Sequence, residues 1–371
     1  MKDSRPVRIA VIGAGRLGGF HAAKLAQFDA VRFVGVVDPV DAQRNRVAAE
    51  CRVPAFADYR PILDTMDAAI LATPTQSHYA LGMDLLDRGI HLLIEKPLAA
   101  TADQAGDLVR AARRSGALLQ VGHVERFNPA FASALAAVDR PRYIEAVRAG
   151  AFSFRSMDIG VVLDLMIHDI DLVLSMVHGS LRKVEATGFS VLGGHEDVAN
   201  ARLEFDCGCV AVLSASRVSC EEMRRMQIWS SGGFAAMDFV ARKTTVVRPS
   251  ETLFRQELDT AALAAEPAAV RDRFLGEHLS RSDTQHDKVD ALALEIQDFI
   301  DSILKSRPPR VSGEQGRDAV LVAEQVLAKI RGHGCSESAD NSRRPISLFR
   351  PHVIPAPHWS FVPESSPLSE V

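Results

Sequence analysis

The chain has 371 residues, of which 47% are hydrophobic and 24% charged, and 43 Lys plus Arg against 47 Asp plus Glu give a formal net charge of -4. This balance excludes a chain disordered throughout, which requires low hydrophobicity and high net charge. It also lacks the basic excess of a protein built to coat nucleic acid, so no nucleic-acid partner is expected.

In chain order, residues 7–12 (Val-Arg-Ile-Ala-Val-Ile) form a short apolar run that ends in glycines, and Leu17, Phe20, Ala23 and Leu25 follow at roughly helical spacing. Residues 31–37 read as a second strand, and Ala68 to Ala72 as another that closes at Thr73-Pro74. A helix is predicted from about Ser77 to Arg88, stopped by Gly89 as its C-terminal cap. His91 to Ile94 is a fourth strand, residues 102–114 a helix and Ala117 to Val121 a fifth strand. Alternation at this rhythm predicts βαβ units and a parallel sheet buried on both faces.

The rhythm changes near residue 123. A strand is predicted over 142–150 and a helix over about 160–177. Strand-like runs follow at about 181–191, 197–206, 209–218, 224–230, 234–240 and 244–248, several separated by tight-turn glycines. Helices are predicted over 288–305 and 314–331. The fold class is therefore α/β: a Rossmann dinucleotide-binding domain over 1–122, then an α+β domain over 123–332 with an open, mostly antiparallel sheet, whose last two helices are free to return to the first domain. Beyond that, six of the 18 prolines fall between Pro345 and Pro367, and residues 333–371 read as an extended Pro/Ser-rich tail, with Phe349, Trp359 and Phe361 as docking points.

No run approaches the roughly 20 apolar residues of a membrane helix, and no leader-like apolar segment opens the sequence. The five cysteines show no Cys-x-x-Cys spacing. A reduced, cytoplasmic setting without a membrane partner is the expectation.

Gly13-Ala14-Gly15-Arg16-Leu17-Gly18 follows the first strand and opens the first helix. Gly13 permits the tight turn, Gly15 lets backbone approach a pyrophosphate, and Gly18 lets helix and strand pack closely. Arg16 and Leu17 belong to the same cofactor-facing turn, and the helix N-terminus offers N–H groups to phosphate. Asp38, 20 residues past Gly18, suits the ribose hydroxyls and repels a 2′-phosphate, which favours NAD over NADP; Arg44 and Arg46 keep NADP open. Thr73 and Pro74, at the carboxyl end of a parallel strand, are expected to line the cofactor. His78 either faces the same crevice or sits in the first helical turn.

Glu95-Lys96-Pro97 ends the fourth strand on the same side as the glycine turn. A lysine there, directly after an apolar run, is suited to proton handling or to polarising a hydroxyl. Gly160-x3-Asp164-x3-His168-x2-Asp171 is the second cluster. Asp164 and His168 are four apart, so on a regular helix they share a face, and a carboxylate beside an imidazole makes a general base. A metal set of Asp164, His168 and Asp171 is the rival reading, set aside because hydride transfer needs no metal when Lys96 and His168 manage the proton. Arg126 and Asn128 follow the fifth strand as candidate substrate ligands, and Phe152, Phe154 and Arg155 could stack a base or bind a diphosphate or, as readily, pack.

Together the glycine turn, Ala72-Thr73-Pro74-Thr75 with His78, Glu95-Lys96-Pro97 and the Gly160–Asp171 cluster resemble the Gfo/Idh/MocA oxidoreductases over about residues 7 to 331. The resemblance implies a Rossmann domain and an open sheet that makes homodimers or homotetramers. Lys96, Asp164 and His168 fall on the family's catalytic positions; Gly13, Gly15, Arg16, Leu17, Gly18, Asp38, Thr73, Pro74, His78, Glu95 and Lys96 would meet the cofactor, and Lys96, Arg126, Asn128, Asp164 and His168 the substrate. Val121-Gly122-His123-Val124-Glu125-Arg126-Phe127-Asn128-Pro129 and Asp158-Ile159-Gly160-Val161-Val162 further resemble the UDP-N-acetylglucosamine 3-dehydrogenase branch, which oxidises the sugar 3-hydroxyl ahead of transamination in lipid A or surface-polysaccharide synthesis. An inositol or free-sugar dehydrogenase and a non-catalytic NAD-binding regulatory protein are the alternatives. Which of Lys96 and His168 takes the proton is left open.

Overall fold

The computed structural model describes residues 5–152, 159–192, 194–258 and 274–334. Phe154, Arg155, Asp158 and the tail from Cys335 onward lie outside the described residues. The described residues form two compact units, one holding the chain up to Gly122 with Ile296–Arg317, the other holding His123–Glu295 with the described residues from Asp318.

In the first unit β1 (Val7–Ile12), α1 (Arg16–Leu25), β2 (Val31–Val37), α2 (Asp41–Cys51), β3 (Ala55–Phe56), β4 (Ala68–Leu71), α3 (Thr75–Asp87), β5 (His91–Glu95), α4 (Ala102–Ser115) and β6 (Leu119–Gly122) alternate along the chain. The six strands pair in parallel in the order β3-β2-β1-β4-β5-β6. Their apolar runs have no polar alternation because both faces are covered: Ile9, Val11, Ile70, Leu92, Leu93 and Ile94 are fully buried. The order reverses between β1 and β4, the switch point where such sheets bind ligands beyond their strand ends. Local chemistry sets the helix limits. Thr101 caps α4 by accepting from the Gln104 amide at 3.2 Å, and Gly116, at φ +72°, ends it. The free edge of β6 meets the returning chain, where the Val121 amide donates to Val311 at 3.1 Å.

In the second unit α5 (Pro129–Leu135) precedes β7 (Tyr143–Ala149), and α6 (Ile167–Met176) precedes β8 (Leu181–Phe189), β9 (Val198–Phe205), β10 (Val210–Ser216), β11 (Met223–Ser230), β12 (Gly233–Asp238) and β13 (Lys243–Pro249). A short α7 (Glu251–Phe254) and β14 (Leu279–Gln285) follow. The sheet order is β14-β13-β12-β11-β7-β10-β9-β8. Its central β7–β10 pair is parallel and the other pairs are antiparallel. On β7 the side chains alternate: Ile144, Ala146 and Arg148 are buried, while Tyr143, Glu145 and Val147 stand on the more open face. α6 packs against β7 and β10. α8 (Ala291–Lys305) and α9 (Gly313–Gly334) are the last elements among the described residues.

The helix expected over 160–177 is not uniform. Residues Val162–Met166 form a π turn, and regular α-helix begins only at Ile167. Asp164 lies within this π turn, and His168 in the α-helix that follows it.

Candidate functional site

In the first unit the glycine turn is set by close approach. At Gly13, where φ is +101°, an added Cβ would lie 2.4 Å from the Ala72 carbonyl oxygen of the chain leaving β4, and at Gly18 one would lie 1.8 Å from the Gly13 oxygen. Gly15 has nothing within 4 Å of the same position, so its backbone faces open space. It is the N-cap of α1 without a side-chain cap, and Arg16 and Leu17 beside it are exposed. Uncapped amides, helix polarity and a cleared approach are what a pyrophosphate requires, so these residues fit a dinucleotide.

Asp38 directly follows β2 and is 3% exposed. Its Oδ2 accepts from the Ala14 amide at 2.7 Å and its Oδ1 from the Val40 amide at 2.8 Å. The carboxylate thus holds the glycine turn, and a second lone pair on each oxygen can accept from ribose hydroxyls. Arg44 donates to the Asp38 and Pro39 carbonyl oxygens at 3.2 and 3.1 Å, and Arg46 pairs with Glu50 at 3.1 Å.

His78 is 1% exposed and bridges two strand-end loops, with Nδ1 at 2.9 Å from the Pro97 oxygen and Nε2 at 2.9 Å from the Thr73 oxygen. Thr73 also receives the Ser77 hydroxyl at 2.8 Å, and Pro74 is the N-cap residue of α3. Lys96 is half-buried directly after β5. The Glu95 carboxylate is turned back into the fold. Its Oε1 lies 2.6 Å from His21 Nε2, its Oε2 accepts from the Lys96 amide at 3.2 Å, and it lies against Gly122, where a Cβ would come within 3.0 Å of it. Glu95 therefore ties α1 to the backbone that carries Lys96.

In the second unit a buried arginine organises the cluster. Arg148 on β7 donates to Asp169 from Nε at 3.1 Å and from Nη2 at 2.8 Å, and to Glu125 from Nη1 at 2.8 Å. Burial opposes this charge, but the two carboxylates hold the guanidinium firmly protonated; burial also raises the Asp169 carboxyl against the pull of Arg148. Asp169 adjoins His168, so the grip fixes the turn that presents the imidazole. The His168 ring meets His123 edge to face, with centroids 6.0 Å apart and planes at 88°. Asp164 and His168 are half-buried. The start of this segment is capped by Glu196, whose Oε1 accepts from the Val162 amide at 3.1 Å and whose carbonyl accepts from Val161 at 2.9 Å. Gly160 has no Cβ because the Glu196 carboxylate occupies that space.

Arg126 is buried 3.7 Å from Asp171, so that aspartate faces a guanidinium. Asn128 caps α5, accepting from the Ala130 amide at 3.0 Å and donating to Glu125 at 3.1 Å. Thus Lys96 and the dinucleotide residues stand on the first unit, and Asp164, His168, Arg126 and Asn128 on the second. His21, His123, Glu125, Arg148 and Asp169 were missed as site residues. His21 had a signal: with Gly18, Ala22 and Leu25 it forms the buried stripe of α1, and it is the polar member of that stripe.

The chain matches the family model described as the oxidoreductase family with an NAD-binding Rossmann fold over residues 7–123, and the GFO/IDH/MocA C-terminal domain over 132–236. It is 36% identical over 325 residues to UDP-N-acetylglucosamine 3-dehydrogenase of Acidithiobacillus ferrooxidans, covering 87% of this chain and 97% of that protein. A solved structure of that enzyme superposes with a TM-score of 0.77 at 33% identity, covering 88% of this chain and 98% of the other. The scyllo-inositol 2-dehydrogenase (NAD(+)) of Bacillus subtilis is 29% identical over 232 residues, 57% of this chain and 68% of that enzyme.

Replacing Arg148 by Ala leaves two buried carboxylates facing each other and is expected to destabilise the fold by about 3–5 kcal/mol in urea unfolding; a change below 1 kcal/mol would mean that the triad is not holding the unit together. His21→Ala and Glu95→Ala each strand a buried partner at a cost of about 1–3 kcal/mol. Because both break one link, the double variant should lose clearly less than the sum of the single variants, as a double-mutant cycle reads directly.

Proposed function

Since the chain belongs to the Gfo/Idh/MocA oxidoreductase family, we propose that it uses NAD to oxidise the 3-hydroxyl of UDP-N-acetylglucosamine to the 3-keto sugar. The observation that carries this reading is the 36% identity that runs along 97% of the A. ferrooxidans enzyme. The inositol dehydrogenases match at lower identity, 24% to 29%.

In this reading His168 removes the hydroxyl proton with Asp164 in support, while Lys96 hydrogen-bonds the same oxygen and stabilises its developing negative charge. Lys96 and His168 can exchange these roles. NAD, when bound, supplies the hydride acceptor. Gly13 to Gly18 would hold its pyrophosphate, Asp38 its adenosine ribose, and the Thr73–Pro74 backbone its path beyond β4. NAD is preferred to NADP because the Asp38 carboxylate opposes a 2′-phosphate, while Arg44 and Arg46 are already engaged with other partners. We assign the protein to the cytoplasm, as a homodimer or homotetramer formed through the second sheet. Its keto product would pass to an aminotransferase for lipid A or surface-polysaccharide synthesis.

The test is incubation with NAD and either UDP-N-acetylglucosamine or myo-inositol, with an aminotransferase present to draw off the ketone and the product identified by mass. Formation of the 3-keto or 3-amino nucleotide sugar supports the reading; turnover of myo-inositol alone replaces it with the inositol dehydrogenase reading. Lys96→Ala and His168→Ala should each lower kcat by about two orders of magnitude or more with NAD affinity little changed, and near wild-type rates in both would remove the mechanism. Asp38→Ala should weaken NAD and narrow its advantage over NADP; an unchanged preference in cofactor titrations would remove the ribose argument.

A further inference from the structure

The second unit contains a cavity of about 430 Å³ beside Asp164. It lies where β7 runs out into Gly150–Phe152, next to the π turn at Asp164 and Leu165, and is closed by the chain from Arg217 to Arg224. We propose that this cavity seats the nucleoside diphosphate of the substrate, with Arg224 as its principal anion ligand; the assignment rests on the sugar-nucleotide reading above and deepens it.

Three guanidinium groups line the cavity, and they differ in how their charge is used. Arg148 is enclosed by Glu125 and Asp169. Arg217 is anchored, with Nε 2.6 Å from Asp197 and Nη1 2.8 Å from the Ile159 oxygen, and its head lies 5.5 Å from the centroid of the Phe152 ring. Arg224 is different. Its side chain is 46% exposed, and its ion pair is with Glu222, itself 58% exposed, at 3.0 Å. In the β7–β11 register Arg224 stands directly opposite Arg148. The Arg148 charge is outweighed by its two carboxylates, and Arg224 joins Arg148 in opposing the burial that raises the Asp169 carboxyl. What sets Arg224 apart is that its half-exposed head borders the cavity with only a surface carboxylate as its ion-pair partner.

The cavity's chemistry narrows the anion it would take. Its volume falls in the range of small-molecule pockets. An exposed arginine offers paired N–H donors to phosphate oxygens. Phe152, already carrying the Arg217 guanidinium 5.5 Å from its ring centroid, adds an aromatic side chain to the lining. Asp164, assigned above to the reacting sugar, borders the same space, so a pyranose bonded to the diphosphate would extend toward it. Glu222 opposes an anion and competes with it for Arg224. The two members of this surface pair should therefore have opposite effects on binding.

The experiment is calorimetric titration of UDP into the full chain, with NADH saturating so that the dinucleotide site is filled, for the wild type, Arg224→Gln and Glu222→Gln. UDP should bind the wild type. Arg224→Gln should raise its Kd about tenfold, the loss of a charge-assisted contact, and Glu222→Gln should lower it. With UDP-N-acetylglucosamine as substrate, the Arg224→Gln effect should fall on KM rather than on kcat. No UDP binding by the wild type, or one Kd for all three proteins, overturns the pocket assignment even if the nucleotide sugar is oxidised. The expected pattern of Kd values without oxidation of UDP-N-acetylglucosamine supports the pocket and overturns the substrate reading instead.

Discussion

The first unit depends on the space vacated at two glycines. A side chain at Gly18 would overlap the Gly13 carbonyl, and one at Gly13 would overlap the backbone after β4. Their absence lets the N-terminal turn of α1 lie against the ends of β1 and β4. That closeness has a consequence beyond phosphate binding. The same helix carries His21 inward to Glu95, and Glu95 accepts from the Lys96 amide. The glycines that shape the dinucleotide turn are thus linked, through one buried imidazole and one carboxylate, to the lysine expected to polarise the substrate.

The second unit solves the same positioning problem with charge. A single guanidinium at Arg148 gathers Glu125, from the segment after β6, and Asp169, from α6. A desolvated cation between two carboxylates tolerates little displacement, because any opening leaves an ion buried without compensation. Glu196 adds a second constraint by capping the chain at Gly160, where only a residue without a Cβ leaves room for the carboxylate. Between these two fixed points the backbone adopts a π turn that carries Asp164. Such turns interrupt regular bonding and re-aim side chains, and they recur at functional sites.

Much of this architecture was legible in the sequence. The parallel strands announce themselves as unbroken apolar runs, and β7 to β13 as alternating segments between turn residues. What failed to show has physical reasons. α2 buries only Val47 and Ala48, so it has almost no apolar stripe. β14 is exposed along nearly its whole length and pairs by main-chain bonds at a sheet edge, so it carries no alternation. The π turn has the same local composition as a regular helix; it depends on Glu196, 32 residues past Asp164. Residue types at the site were easier to identify than their duties. Asp38 and Glu95 could be picked out as strand-end acids, but not that each would hold a main-chain amide, since that depends on where a distant glycine turn or helix comes to rest.

Burial separates the ionisable groups of the motifs into two kinds. Asp38, Glu95, Asp169, Asp171 and Asp197 are all less than a tenth exposed, and each is engaged by backbone amides, an imidazole or a guanidinium. A carboxylate held this way is costly to move and serves to fix geometry. Lys96, Asp164 and His168 are only half-buried. Partial exposure leaves such groups accessible to a ligand, whereas a fully enclosed ion cannot meet one without disrupting its surroundings. In the mechanism proposed above, the reacting groups are thus the less buried members of each motif, and the deeply buried acids beside them supply rigidity.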